Sequence, residues 1–105
     1  MTTISVIYPR SAGATFDYEY YEETHLPLVV SRWRDAGLVG AEALRGVSAA
    51  DGTEAAFFAM AFIRFETLDQ FRAAVAGEHA SEILGDIANF TSVQPMMQVN
   101  EIIGG

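Results

Sequence analysis

The segment AAFFAMAFIRF, residues 55–65, is the clearest β-strand signal in the chain, because it is rich in aromatic residues and contains neither Gly nor Pro. Alternate side chains of a strand point to opposite faces of its sheet. Both sets are apolar here, and they divide into Phe58, Met60 and Phe62 on one face and Phe57, Ala59, Ala61, Ile63 and Phe65 on the other. A sheet that contains this strand therefore needs cover on both sides.

Three further strands are predicted from β-branched and apolar runs that end at turn residues. They cover residues 2–9, 38–47 and 94–103, and Asp51-Gly52 supplies the turn that leads into the apolar segment. Four strands are enough for one sheet.

A first helix is predicted between the first two strands. Thr15 is its expected N-cap, Phe16 its first residue and Gly37 its stop. Pro27 lies inside this span and removes a backbone donor, so we expect the helix to bend there.

A second helical region follows the apolar strand. Thr67 and Gln70 have the spacing of a capping box for a helix that Gly77 ends, and residues 79–87 add a short helix. The element order β-α-β-β-α-β predicts an α+β, ferredoxin-like sheet with both helices on one face. Residues 1–105 are expected to form a single domain.

The second sheet face has no helix to cover it, since two helices cover only one side of a four-stranded sheet. Left open, the face with Phe58, Met60 and Phe62 would be a large apolar patch. The simplest cover is the same face of a second copy related by a two-fold axis. The sequence therefore predicts a homodimer whose two sheets pack together or close into a barrel.

The composition excludes several classes of function. The chain carries a net charge of −8 and no cysteine, so we expect no nucleic-acid or membrane partner, no disulfide and no thiolate chemistry. The first residues have neither a basic flank nor a long apolar run, so we expect no signal peptide and a cytoplasmic protein. No histidine or carboxylate cluster has ligand spacing, and neither a metal nor a cofactor is predicted.

A candidate site lies in FDYEYYEETHLPLV, residues 16–29. On a helix of about 100° per residue, six side chains fall within an arc of roughly 120°. These are Asp17, Tyr21, His25, Leu28, Val29 and Arg32. If this face meets the sheet, its polar groups need partners or a ligand, because an unpaired buried group costs on the order of 1–3 kcal/mol.

Four parts of the chain together match a known pattern. They are Thr15-Phe16-Asp17; Tyr20-Tyr21 with His25 and Pro27-Leu28; a strand ending at Phe65 before a capped helix; and Asp86-Ile87-Ala88-Asn89-Phe90. Over nearly its whole length the chain resembles the EthD family, small dimeric α/β-barrel proteins named for a member needed to degrade ethyl tert-butyl ether. Related barrel proteins include isomerases, cyclases, decarboxylases and cofactor-independent monooxygenases, and the resemblance implies a small apolar pocket between helices and sheet.

The resemblance implies that His25 is functional, with Asp86 as a second candidate. We predict that His25 titrates near neutrality and moves a proton to or from a bound small molecule, while Tyr21 donates to a developing oxyanion. The alternative is a structural histidine that bonds Asp17, Asp86 or the backbone carbonyl freed by Pro27. Between these two roles the residues leave the choice open.

The pocket must lie on the helix side of the sheet, because a side chain of the first helix cannot reach the other side. Ala59 and Ala61 would leave room there, and Phe57 and Phe90 would be apolar walls. Arg32, on the polar helix face, completes the predicted ligand-binding set.

Three functions remain open at this point. The first is a small-molecule-binding dimer that catalyses a cofactor-independent proton transfer, such as isomerisation, decarboxylation, dehydration or cyclisation, on a small apolar or aromatic oxygenated compound. The second is a non-catalytic accessory or ligand-carrier protein of an oxygenase or catabolic pathway. The third is a purely structural dimer module.

Overall fold

The computed structural model describes all residues from Met1 to Gly105, and it contains one four-stranded antiparallel sheet. The strands are β1 (Thr2–Pro9), β2 (Leu38–Arg45), β3 (Phe57–Phe65) and β4 (Met96–Asn100), in the order β2-β3-β1-β4. This order and the helical connections confirm the predicted α+β, ferredoxin-like fold. Strands β2, β3 and β4 are shorter than the predicted ranges, each by two to five residues at its ends.

The helices cover one face of the sheet. The first helix consists of α1 (Tyr18–Tyr20), a π-helical segment (Tyr21–His25), α2 (Leu26–Trp33) and a 3₁₀ turn (Arg34–Ala36). The second helical region consists of α3 (Leu68–Val75), α4 (Ala80–Asp86) and a 3₁₀ turn (Ile87–Asn89). Between them and the sheet lies the main core, made of Ile4, Val29, Trp33, Leu38, Ile63, Phe65, Phe71, Ala74 and Ile83. No helix is of sufficient length and apolarity to traverse a lipid bilayer.

The predicted helix caps are confirmed in one case and wrong in the other. Thr67 and Gln70 form both hydrogen bonds of a capping box at the start of α3. Thr15, however, does not cap the first helix. Asp17 does so, by accepting a hydrogen bond from the Tyr20 backbone N–H at 3.1 Å. Phe16 is still extended at this point and forms a β-bridge.

The π-helical segment explains how the first helix contains Pro27. The Leu26 backbone N–H bonds the Tyr21 carbonyl five residues earlier, and Pro27 then falls in the first turn of α2. A proline in that position removes a donor that a new helical turn would not use. The irregularity that we expected as a bend at Pro27 is therefore a widened helical turn just before it.

The widened turn also changes which side chains share a face. One extra residue rotates the following helix by about 100° relative to a continuous α-helix. The residues that face the sheet are consequently spaced by four, and they are Tyr21, His25, Val29 and Trp33, all of them buried. The face predicted from a regular helix included Arg32 and left out Trp33.

A β-bulge in β3 has a similar effect on the sheet. Tyr8 pairs with Ala59 and Pro9 with Phe57, so Phe58 is the extra residue. Phe58 and Ala59 are both buried in a second core cluster with Tyr8, Tyr21 and Phe90. The prediction that Phe57 lies on the helix side and Phe58 on the opposite side was therefore wrong.

The outer face of the sheet, the side away from the helices, is apolar at one end and polar at the other. Met60 pairs with Ile7 and Leu44, and the side chain of Leu44 is half exposed. Phe62, next along β3, is also half-buried. At the polar end, Asn100 donates a hydrogen bond to the buried Ser5 hydroxyl at 3.2 Å.

Candidate functional site

The centre of the candidate site is a hydrogen bond between His25 and Asp86. His25 Nδ1 lies 2.9 Å from Asp86 Oδ2, and the imidazole is only 4% exposed. The π-helical segment carries His25, and Asp86 is the last residue of α4. The pair thus joins the two helical regions of the fold.

Two further side chains hold Asp86. The Tyr20 hydroxyl donates to Asp86 Oδ1 at 2.5 Å, and Asn89 Nδ2 donates to the same oxygen at 3.0 Å. The bond to the carboxylate raises the pKa of Tyr20, so its phenol stays protonated and keeps donating. Sequence reasoning missed both residues, although Asn89 lies one helical turn after Asp86.

These bonds determine the charges of the pair. Burial alone would raise the pKa of Asp86, but hydrogen bonds from Tyr20, Asn89 and His25 outweigh it and hold the pKa below the usual 3.8. Burial lowers the pKa of His25 below 6.5, and the bond and negative charge of Asp86 offset only part of that effect. At neutral pH the pair consists of an Asp86 carboxylate and a neutral imidazole. The pKa of His25 is therefore lower than the predicted value near neutrality.

The charge state of Asp86 also selects the tautomer of His25. An ionised carboxylate only accepts hydrogen bonds, so the proton of the neutral ring must be on Nδ1. The other nitrogen, Nε2, then carries a lone pair, and it makes no hydrogen bond within the chain.

Aromatic rings enclose the imidazole. Phe90 lies 4.6 Å from His25 between ring centroids, and Tyr21 lies 5.8 Å away with its ring inclined by only 16°. Tyr21 is packed in turn against Tyr8 and Phe16 at 5.7 and 5.1 Å. This packing fixes the plane of the imidazole and keeps water from most of its surface.

His25 borders an inner cavity of about 40 Å³ between the first helix and the sheet. Of its 12 lining residues 11 are hydrophobic, among them Ala61, Val29 and Ile83. A space of this size holds a water molecule or a small functional group.

Two hydrogen-bonding atoms among the residues that line the inner cavity have no partner. Tyr21 Oη and Trp33 Nε1 are both buried and make no hydrogen bond in the chain. Burial raises the pKa of Tyr21 to about 12, so its hydroxyl remains a donor at neutral pH. An oxygen atom of a ligand or of water would satisfy such donors. Trp33 was not predicted as a site residue, because it enters this face only through the π-helical turn.

A larger space, the side groove, adjoins the inner cavity and opens to solvent. It measures about 310 Å³ and is lined by Tyr18, Tyr21, Glu22, Leu26, Ala43, Leu44, Arg45 and Ala59. Tyr21 and Leu26 line both spaces, so their side chains form the wall between the groove and the inner cavity.

Comparison with known proteins places this arrangement in a family. The crystal structure of an EthD-like protein from Ralstonia eutropha JMP134 is 35% identical and superposes with a TM-score of 0.88, over 98% of this chain and 92% of that one. The chain belongs to the EthD family. An EthD family protein from Bacillus halodurans C-125 has 19% identity and a TM-score of 0.76, over 98% of this chain and 99% of that one.

The fold of this EthD protein is shared more widely. SnoaB from Streptomyces nogalater, a cofactor-independent oxygenase, superposes with a TM-score of 0.65 at 12% identity, over 99% of this chain and 93% of that one. At that identity the likeness concerns the fold alone. Neither a protein-family profile nor a curated protein matches the chain.

The structure of this EthD protein brings most of the predicted site residues together. His25 and Tyr21 line the inner cavity with Ala61, Asp86 and Phe90 contact His25, and Ala59 lines the side groove. Of the partners considered for His25, Asp86 is the one observed.

Two predicted ligand-binding residues lie elsewhere. Arg32 is at the surface, where its Nε donates to Glu82 at 2.7 Å and both side chains are more than 40% exposed. Arg32 lies two turns after His25 and on the side of the helix toward α4, where Glu82 is one turn from Asp86, so it does not reach the inner cavity. Phe57 lies outside both spaces because of the β-bulge, and its neighbour Phe58 takes the buried position. No group of three or more histidine or acidic side chains converges as a metal site would require.

The lowered pKa of His25 predicts a pH-dependent stability. Between pH 6.5 and the lower pKa of the folded protein, the unfolded chain takes up a proton at His25 that the folded chain does not. The free energy of unfolding should therefore fall as the pH is lowered through this range, by at most about 1.4 kcal/mol per pH unit. Urea unfolding from pH 8 to 5 should show this slope reduced in His25→Gln and retained in His79→Gln. A slope unchanged in His25→Gln would contradict the assignment.

Proposed function

We propose that this EthD-family protein binds a small, mostly apolar molecule bearing an oxygen function and catalyses a cofactor-independent proton transfer on it. The observation that carries the proposal is His25, whose Nδ1 is bonded to Asp86 while its Nε2 stays unbonded in a ring that borders an apolar cavity. A neutral imidazole whose Nδ1 is hydrogen-bonded and whose Nε2 has a free lone pair is suited to act as a general base.

In this mechanism Nε2 removes a proton from a carbon next to a carbonyl group of the ligand, and the electron pair of the broken C–H bond moves onto the carbonyl oxygen. The imidazolium that forms is paired with the Asp86 carboxylate at 2.9 Å, so the new positive charge has a counter-ion in place. Tyr20 and Asn89 keep that carboxylate ionised and oriented. Returning the proton to another carbon of the ligand completes an isomerisation, and donating it to a hydroxyl group that leaves the neighbouring carbon as water completes a dehydration.

The electron pair left by the proton must be accepted by an oxygen of the ligand. Tyr21 and Trp33 each have a buried donor without a partner, and both residues line the inner cavity. Hydrogen bonds from them to the developing oxyanion would be stronger than in water, because the surroundings exclude solvent. SnoaB, a cofactor-independent oxygenase of the same fold, supports chemistry on this scaffold without a cofactor.

A second candidate function is non-catalytic. The inner cavity of about 40 Å³ is small, and burial keeps His25 uncharged, so the same residues would also suit an accessory or carrier protein that only hydrogen-bonds its ligand. The two functions differ in whether the ligand exchanges a proton with His25.

Exchange of ligand protons with solvent deuterium distinguishes the catalytic function from the carrier function. Small oxygenated aliphatic and aromatic compounds that raise the melting temperature would be incubated with the protein in D₂O, and deuterium incorporation at carbon measured by NMR. We expect catalysed incorporation in the wild type, a loss of about 100-fold or more in His25→Gln, and normal rates in His79→Gln. Binding without any exchange in the wild type would favour the carrier function and contradict catalysis.

We further propose that two copies pair through the outer face of the sheet. Its apolar end presents Met60, Phe62 and Leu44, which no helix covers. Apolar patches of this kind on a folded protein mark contact surfaces, and a two-fold axis would bring the two patches together. His25 lies on the opposite side of the sheet, and Leu44 at the sheet edge borders both the pairing surface and the side groove.

Light scattering after size-exclusion chromatography tests this pairing. We expect a mass about twice the 11.4 kDa of one chain for the wild type, and the single-chain mass for Met60→Lys, because the substitution buries an unpaired charge in the contact. Val47→Lys, at a site 90% exposed beyond β2, is the matched control and should remain paired. A wild type of single-chain mass at working concentration would refute the proposal.

A further inference from the structure

The side groove, which shares two wall residues with the inner cavity, contains a basic side chain. Arg45, the last residue of β2, lines this groove together with Glu22, and the other six lining residues are hydrophobic. Tyr21 and Leu26 line both the groove and the inner cavity, so the space that Arg45 lines is separated from His25 by the side chains of these two residues.

Arg45 is held in place without using its hydrogen-bond donors. Its guanidinium carbon lies 3.9 Å from the centroid of the Tyr18 ring. Tyr18 is itself fixed, since its hydroxyl donates to the Phe58 carbonyl oxygen at 2.9 Å. A cation–π contact occupies the flat face of the guanidinium. Arg45 makes no hydrogen bond or ion pair within the chain, so the N–H groups at its edge remain free for a ligand.

The other arginines with defined contacts are occupied. Arg32 is paired with Glu82, and Arg10 Nε donates to the Ala55 carbonyl oxygen while its guanidinium lies over Phe58. The chain has a net charge of −8, which repels anions at a distance. An anionic ligand would therefore depend on a local cation, and Arg45 is the cation that the groove supplies.

We propose that the ligand is a carboxylic acid with an apolar body, and that Arg45 binds its carboxylate. This inference rests on the proposed function, because the body of the same molecule would occupy the groove and extend past Tyr21 and Leu26 to His25. The planar fork of a guanidinium matches a carboxylate with two parallel hydrogen bonds. Glu22 on the groove wall opposes a more highly charged group such as a phosphate, so a single carboxylate fits this pair of side chains best.

The ligand class follows from the two spaces together. One end carries a carboxylate at Arg45, the middle is apolar to match the groove, and the other end has an oxygen function that the donors of Tyr21 and Trp33 bind. Arg45 is then a specificity-determining residue that holds the ligand in one orientation.

Pairs of acids and their neutral amides test the carboxylate directly. 4-Hydroxybenzoate, 3-(4-hydroxyphenyl)propanoate and 4-(4-hydroxyphenyl)butanoate would each be titrated beside the corresponding primary amide, at pH 7 and low salt, with binding followed by NMR. We expect the best acid to bind about fivefold to tenfold more tightly than its amide. Arg45→Gln should remove this preference, Glu22→Gln should increase it, and Arg72→Gln, an exposed arginine of α3 outside the groove, should leave it unchanged.

The outcomes separate this inference from the proposed function. Equal binding of acid and amide by the wild type, an acid preference that survives in Arg45→Gln, or no binding by any acid would overturn the role of Arg45. Amides that bind and shift the His25 signals would still leave the proposed function standing. Acids that depend on Arg45 but leave the His25 and Tyr21 signals unmoved would refute the connection between groove and inner cavity. Absence of deuterium exchange would refute catalysis without affecting the acid preference.

Discussion

The hydrogen bond from His25 Nδ1 to Asp86 Oδ2 is the contact on which the rest of the site depends. It places an ionised carboxylate and a neutral imidazole where little water reaches, and a carboxylate there needs several donors to remain charged. Tyr20, Asn89 and His25 supply them. The same bond commits one nitrogen of the imidazole and leaves the other free. Without Asp86 the ring would have no fixed tautomer, and a proton transferred to it would have no counter-ion.

Two local irregularities of the backbone set the surroundings of this pair. The π-helical segment aligns Tyr21, His25, Val29 and Trp33 on one side of the first helix, and the β-bulge at Phe58 turns an additional ring into the cluster behind Tyr21. Each irregularity inserts one residue into a regular helix or strand, and each occurs beside the site. Such insertions are frequent at functional sites because they redirect a side chain without changing the fold.

The sequence was sufficient for the fold and for naming Asp86 as a partner of His25, and the same two insertions explain residues that it placed wrongly. The structure contains three features that the sequence predicted, namely the apolar strand β3, the Thr67 capping box and the order of elements. His25 and Asp86 lie 61 residues apart, and the family resemblance suggested both as candidates. Phe57 was misplaced because a regular period of 3.6 or 2 fails after an inserted residue. Trp33 was missed for the same reason, and Tyr20 was missed because its role depends on a contact with Asp86, 66 residues away, which a periodic pattern does not contain. Asn89 was missed although it lies one helical turn after Asp86.

The charge and tautomer of His25 at neutral pH are the central claim, and ¹⁵N-resolved NMR of the imidazole measures both. With His79→Gln to remove the second histidine signal, the account predicts a neutral ring at pH 7 that is protonated on Nδ1 and bears its lone pair on Nε2. Asp86→Asn should lower the pKa of His25 further, because the carboxylate favours the charged ring. A doubly protonated ring at pH 7, or a neutral ring protonated on Nε2, would contradict the account.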